Sequence, residues 1–542
     1  MNVKPVPLFG IGNKARSVVV SAQERLNVYV ELNDDPEKQV ITLYPRPGLV
    51  SAVDFGAFPI RGLWQKGDFL YVVQRDTLYR VANDGSTTAI GTLLTNAGRV
   101  DMSDNGVQLI VVDGPNGYIY LFSPTAQTIS SITRATTTAT LTTAQPHRLM
   151  TGMQVTVSGA TPAQYNGTFT ITVTGANTFT YVMGSDPGAS AAPVGSYTVA
   201  SAFARITDAD FPGADTVTFL NQRFIVSKPD SGEFYWSSLI DGSSWDALDF
   251  ATAEASPDDL VRVFAEAGQL YLFGDTTTEM WGDSGAADQA FVKIGGGAVE
   301  WGLAARWSLV KYMDSMAFLR KNRLGQVQVC VMAGSVAQPI SNPQIEVEFT
   351  SYGDVSNATA LAYMVNGHAF YQINFPTVGK TWMYDAQSKA WSVLESFGGM
   401  HRASMSAQLL GSIYAADFEN GKLYTIEPDV LTDDGQPMVR EFTARHQSIG
   451  DFSRVAELWL EMQPGVGSQS GLGTDPQIML RVSRDGGNTY GNELWTSIGK
   501  VGEYRARAVW RRLGQARDWV MKFRVTDPVV SVFVAAWARV MR

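Results

Sequence analysis

Short runs in which apolar and polar residues alternate, bounded by Gly, Asn and Asp, recur along the whole chain, whereas the spacing of an amphipathic helix is scarce. The pattern predicts an all-β protein of many antiparallel strands. Several runs resemble one another: FLYVVQRDTLYRV (69–81), GYIYLF (117–122), QLYLFGDTTTEMWG (269–282), HAFYQINFPTVGKTWMYDAQSKAWSVLE (368–395) and SIYAADFENGKLYTIE (412–427). In each, an apolar strand carrying Tyr leads to a short polar turn and usually to a second strand with another aromatic. Such units look like the inner hairpins of β-propeller blades. Trp382, Tyr384, Asp385 and Trp391 read as a blade end whose aromatics pack between neighbouring blades.

Residues 130–200 break this pattern. They are crowded with Thr, Ala, Ser and Gly and carry only Arg134, Arg148 and Asp186 as charges. β-branched residues alternate there with Thr-Gly, Ser-Gly and Asn-Gly turn signals, which predicts a small Ig-like or barrel-like β-domain. Blade-like sequence lies on both sides, so the block is read as an insertion in a loop of the larger body. The expected division is an N-terminal arm and first part of the propeller (1–129), the insert (130–200), the rest of the propeller (201–435) and a C-terminal β-sandwich (436–542). At about 40–45 residues per blade the body has room for roughly six to eight blades.

The C-terminal strands bring the first distinctive chemistry. Arg505, Arg507, Arg511, Arg512, Arg517 and Lys522 fall within eighteen residues that also hold Trp510 and Trp519. Six like charges beside two tryptophans fit an interface for an acidic surface; they equally fit the solvated face of a sheet. The whole chain of 542 residues is acidic, with a net charge of −10 and only 17% charged residues, which argues against affinity based on neutralising nucleic-acid phosphates. One cysteine, Cys330, excludes intrachain disulfides. Four histidines, His147, His368, His401 and His446, none in an HExxH spacing, make a poor transition-metal site. The N-terminus lacks the apolar run of a secretion signal, and no uncharged apolar stretch is long enough for a transmembrane helix.

Enzyme-like signals are weak. In SRDGGNTYG, the residues Ser483, Asp485, Gly487, Thr489 and Tyr490 fit the Asp-box of sialidases, where carboxylate and hydroxyl cap a hairpin turn and do no chemistry. GIGNKARS (10–17) has no Ser or Thr after Lys14, so it is no phosphate loop, and the glycines at 295–297 read as a tight turn. His147 has no partner at metal spacing. Asp34, Asp35 and Glu37 beside a proline read as a solvated loop rather than a calcium site. The expectation is a protein with no catalytic, cofactor or metal site.

Phrases across the chain then point to a family. RLNVYVEL (25–32) with YPRPGL (44–49), FYWSSLIDGSSWD (234–246), TTTEMWGDSGAADQAFVKIGGGAVEWGLAARWSL (276–309), AFLRKNRLGQVQV (317–329), AQPISNPQIEVEF (337–349), SRDGGNTYGNELW and RARAVWRRLGQARDWVMKFRV stand in that order. Their order and spacing resemble the packaged-DNA stabilisation proteins of short-tailed bacteriophages, also called tail accessory factors, tail hub or nozzle proteins. TTAQPHRLMTGMQVTVSGA and YNGTFTITVTGANTFTY in the insert separately resemble a small β-domain of phage tail proteins. The resemblance implies a non-enzymatic virion protein of the tail, assembled in the host cytoplasm. It implies a homo-oligomer of six copies in a ring below the portal adaptor, continuing the channel for double-stranded DNA, stabilising the packaged genome and taking part in ejection. Fibres or spikes and a distal needle or plug are the other implied partners. On that reading the C-terminal domain is expected to carry the adaptor contact, through Arg505, Arg507, Trp510, Arg511, Arg512, Arg517 and Trp519; the alternatives are that the domain faces a neighbouring copy or that these arginines pair within their own sheet. The alternative is a carbohydrate-binding or glycan-cleaving propeller of the tail.

Overall fold

A computed structural model describes residues 2–6, 8–18, 20–33, 41–254, 256–286, 289–444 and 447–541, without the side chains of residues 2, 4 and 447–451. Asp34, Asp35, Glu37 and His446 lie outside the described residues. The protein is all-β; the one α-helix among the described residues, Pro343–Ser351, is capped by Asn342, whose side chain accepts the Ile345 N–H. The chain forms two compact units, residues 58–303, and residues 1–57 with 304–542.

Among the described residues of the first unit, and apart from the sheets formed within 129–201, there are four antiparallel sheets of four strands, the blades that the repeated hairpins predict. They are Ile60–Lys66 to Thr87–Thr92; Asp101–Asp104, Gln108–Val112, Gly117–Leu121 and Phe203–Arg205; Thr216–Leu220 to Asp241–Thr252; and Leu260–Glu266 to Phe291–Val299. Central strands such as Gln108–Val112 are buried on both faces, which is why they read as unbroken apolar runs. The turns are tight. Between Glu266 and Gln269, Ala267 and Gly268 both take positive φ, the conformation of a two-residue hairpin loop.

In the second sheet the outer strand, Phe203–Arg205, pairs with Gly117–Leu121, from which two further sheets separate it along the chain. The ring of Phe203 stacks on Tyr118 at 5.6 Å and lies so close to Gly91 that a Cβ there would meet it at 2.2 Å. Between Leu121 and Phe203 the chain makes two small sheets, one of Ile129–Ala135, Thr138–Thr143, Thr178–Val182 and Thr172–Gly175, the other of Gly167–Thr170, Gln154–Ala160 and Val194–Ser201. Their interior, including Leu141, Val155, Phe179 and Tyr197, is continuous with Ile119, Leu121 and Trp245 of the flanking sheets.

The second unit holds three more such sheets and the sandwich. Residues 310–339 form the first, Thr359–Val365 to Trp391–Ser396 the second. The third, Ala403–Leu409, Ser412–Asp417 and Lys422–Glu427, takes its fourth strand, Gly48–Asp54, from the start of the chain. In the sandwich one layer joins Asn2–Val6, Phe533–Met541, Gln447–Met462 and the first part of Ala508–Val525; the other joins Leu494–Ser497, Gln477–Ser483, the last part of Ala508–Val525 and Arg440–Thr443. Leu458, Leu480, Leu513, Phe523 and Phe533 lie in the core between them.

Candidate functional site

The long strand Ala508–Val525 decides where the basic cluster points. Buried positions fall at 508 and 510, then at 513, 516 and 519, with 520 and 521 buried at the change of layer, and then at 523 and 525. The step of three between 510 and 519 arises because the strand is bulged and passes from one layer to the other; Arg512 and Gly514 both take positive φ there. Two residues rather than one therefore face solvent in each step, and Arg511 and Arg512 are both exposed.

The tryptophans fall on the other side, which corrects their reading as surface anchors. Trp510 and Trp519 are core residues, and their indole N–H groups donate to Leu494 O (2.8 Å) and Ser453 Oγ (3.2 Å). A buried indole needs an acceptor, and both have one. Arg505 and Arg507 are exposed in the turn before the strand, beside Tyr504, which is 75% exposed. Arg511 is ion-paired with Glu457 at 3.2 Å, and Arg517 lies over the Phe452 ring at 5.2 Å. Lys522 pairs with Glu441 at 2.5 Å.

The sequence reading missed the neighbours of these arginines. Across the outer face of the same layer, Trp459 stands opposite Trp537 and Val509, while Glu457 stands opposite Arg539 and Arg511. Arg539 reaches Glu457 at 3.0 Å, so one carboxylate is shared by two guanidiniums. Exposed Arg454 adds to the face. Alternation in LWLEM and VAAWARV carried the signal, but its phase depends on which face is buried. Residues 436–542 hold 15 basic and 10 acidic residues, a net of +5 within a chain of −10.

Buried polar residues hold the N-terminal segment in place, and they fall in the phrases RLNVYVEL and YPRPGL. Arg25 donates to Trp391 O (2.8 Å) and Gly10 O (2.7 Å), and burial pulls its pKa down to about 10. Asn27, at positive φ, accepts from Arg46 Nε and the Glu395 N–H and donates to Val439 O. His368 sits between two carboxylates, its Nδ1 2.9 Å from Asp385 and its Nε2 3.0 Å from Glu31. Burial lowers the His368 pKa, but the two carboxylates outweigh it and hold it above the ordinary value. Stability from a histidine raised in this way is complete below its unfolded pKa of about 6.5 and is lost as pH rises through the folded value. His368→Gln is therefore expected to lower the melting temperature more at about pH 5.5 than at about pH 9. Equal losses at the two pH values would refute the assignment.

The hairpin SRDGGNTYG behaves as a turn cap. Asp485 accepts from Ser483 Oγ, Thr489 Oγ1 and the Asn488 and Thr489 N–H groups, which hold its carboxyl well below the usual range, and Ser483 Oγ accepts the Gly487 N–H. Asp485 and Ser483 spend their hydrogen bonds within the hairpin, while Arg484 donates to Leu513 O. His147 accepts the Leu149 N–H, and its other ring nitrogen faces Gly175 O at 3.1 Å. A groove of about 870 Å3 between residues 13–26 and the helix Pro343–Ser351 includes Glu24 and Glu348, each paired with a lysine, Lys14 at 2.8 Å and Lys380 at 2.6 Å. No group of three or more His, Cys, Asp or Glu among the described residues is placed to hold a metal.

A family model described as "Bacteriophage P22 Gp10, beta-propeller" matches residues 148–431, and one described as "Bacteriophage P22 Gp10, beta-sandwich" matches residues 441–541. A curated relative, tail hub protein gp10 of Salmonella phage P22, is 24% identical over 323 residues, 57% of this chain and 66% of that protein. The chain thus spans just under two thirds of that relative. Among solved structures, the WD40 β-propeller domain of Doa1 is 10% identical (70% of this chain, 98% of that chain, TM-score 0.33), and the phage phi92 endosialidase is 13% identical (70% and 68%, TM-score 0.33). Superpositions this loose carry no argument about either fold or chemistry.

Proposed function

The chain belongs to the bacteriophage P22 Gp10 family, and from that premise we propose that it is a structural tail hub protein of a short-tailed bacteriophage. The observation that carries this reading is that the family's propeller model and its sandwich model match successive stretches of the chain, residues 148–431 and 441–541. In the virion the copies form a ring of six below the portal adaptor, continue the channel for double-stranded DNA, stabilise the packaged genome and take part in its ejection. The tail's fibres or spikes and a distal needle or plug are further partners, and assembly takes place in the host cytoplasm. The protein acts without catalysis. A tube that conducts a polyanion avoids adhesive basic walls, which agrees with a net charge of −10 and with basic residues gathered in the C-terminal domain.

The adaptor contact belongs to the turn that carries Arg505 and Arg507 with exposed Tyr504, because arginine and aromatic side chains combine contact area with directional donors. The test is co-sedimentation of the full chain with purified adaptor. Wild type is expected to sediment with it as rings or tubes visible by negative stain, and Arg505→Glu with Arg507→Glu to weaken binding by about tenfold or more. Full binding by the folded double variant removes this turn from the contact; a wild type that ignores the adaptor overturns the placement in the tail.

A further inference from the structure

We infer that the arginine- and tryptophan-bearing outer face of the C-terminal sandwich of one copy docks on the acidic outer strand Asp241–Thr252 of a second copy; this rests on the ring-forming reading above. The first surface is the sheet face in which Trp459 and Trp537 stand side by side, flanked by Arg454, Arg512 and Arg517 and by the Glu457 carboxylate with its two arginines. The second lies in residues 58–303. Strand Asp241–Thr252 pairs with no strand but Glu233–Ser238 among the described residues; side chains of Gln108 and Asp208 take the Gly242 and Trp245 N–H groups in its first half, and the edge beyond Trp245 has no further strand against it. Beyond Trp245 the strand bulges outward, so that Asp246, Ala247 and Leu248 are all exposed, Asp246 accepting the Leu248 N–H; Phe250, stacked on Tyr235, and Thr252 and Glu254 are exposed further along. Leu248 is 81% exposed. Two large apolar side chains between two carboxylates on an open edge form an interaction surface rather than an ordinary solvated strand.

Charge selects the partner. Residues 58–303 hold 24 acidic and 12 basic residues, a net of −12, against +5 for residues 436–542. Each surface has an apolar centre with a charged rim: on the first, Arg454, Arg511, Arg512, Arg517 and Arg539 outnumber Glu457 and exposed Glu461, and on the second, Asp246, Asp249 and Glu254 outnumber Arg223, the balance that gives complementary interfaces. Pairing either surface with its own copy would set like charges face to face. Two different patches of one chain that bind each other make a head-to-tail contact, which closes into a ring when the rotation between copies allows it. The strand supplies aliphatic and aromatic side chains for the paired tryptophans, and Asp246 and Glu254 lie at the two ends of that apolar pair to meet arginines.

The experiment is sedimentation velocity of the full chain over a range of concentrations at about 0.15 M salt. One variant carries Arg454→Glu and Arg517→Glu, the other Asp246→Lys and Glu254→Lys; circular dichroism checks that both fold. Each alone is expected to raise the concentration at half-assembly by about tenfold or more, and an equimolar mixture to restore assembly, because the reversed face then meets the reversed strand. Assembly of either variant like wild type, or two defective variants that fail to rescue each other, overturns the pairing while leaving the ring intact. A wild type that is monomeric throughout, including one that retains duplex DNA on its arginines, overturns the pairing and the ring reading together. If a reversed pair misfolds, salt decides: wild-type assembly is expected to dissociate at about 1 M salt, where screening acts within ~3 Å, and unchanged assembly there overturns the pairing.

Discussion

Replacing Arg46 with methionine is expected to destabilise the unit formed by residues 1–57 and 304–542 by about 3–5 kcal/mol, seen as a fall of roughly 10 °C in its melting transition. The guanidinium is fully buried and every arm is used. Nε donates to Asn27 Oδ1 (2.8 Å), Nη1 to Pro47 O (2.8 Å) and Asp433 Oδ1 (3.0 Å), and Nη2 to Glu395 O (2.8 Å) and Asp433 Oδ2 (2.5 Å). Ser396 donates to the same carboxylate. Burial pushes the Asp433 pKa up, but Arg46 outweighs it and holds the carboxyl below its ordinary value. Removal of the arginine alone leaves a buried carboxylate without its counter-charge, which is far costlier than the pair itself is stabilising. Arg46→Met with Asp433→Leu is therefore expected to melt above Arg46→Met alone. A single variant that melts with wild type would show that this network does not hold the N-terminal segment in place.

That network marks the limit of what the chain's pattern made legible. Hairpins such as 69–81 and 269–282 were readable because both partners are adjacent in sequence and the turn residues between them are explicit. The Thr-rich run at 130–200, with three charges, stood out by composition, and two small sheets form along it. Long-range pairings left no such trace. Nothing local in Asn2–Val6 says that it pairs with Phe533–Met541, or in Gly48–Asp54 that it completes a sheet with Lys422–Glu427. YPRPGL stood out as a phrase without a physical role, because the carboxylate that Arg46 needs lies 387 residues away. Asp385 is a similar case: placed at a blade end from its neighbours, it caps the turn to Ser388 and also faces His368.

The same limit explains the tryptophans of the C-terminal cluster and yields the second large effect. A period of two, applied to AVWRRLGQARDWVMKF, cannot place Arg511 and Arg512 both outside with Trp510 and Trp519 both inside; the bulge and the change of layer can. Trp519 is 1% exposed, shares a core with Leu458, Ala516 and Phe523, and is anchored to Ser453 Oγ. Trp519→Ala removes the whole indole from a packed interior and is expected to destabilise the sandwich by about 3–5 kcal/mol. Trp519→Phe retains most of the apolar volume and is expected to cost far less, chiefly the lost N–H bond at about 0.5–1.5 kcal/mol. Exposed Arg517, two residues earlier, should behave in the opposite way: Arg517→Ala is expected to shift stability by no more than about 0.5 kcal/mol and to act on association instead. Thermal melts and sedimentation of the three variants separate the roles, since an interface tryptophan would weaken assembly with an unchanged melt. That outcome for Trp519→Ala would place its indole on the surface and reverse the assignment of the two faces of the strand.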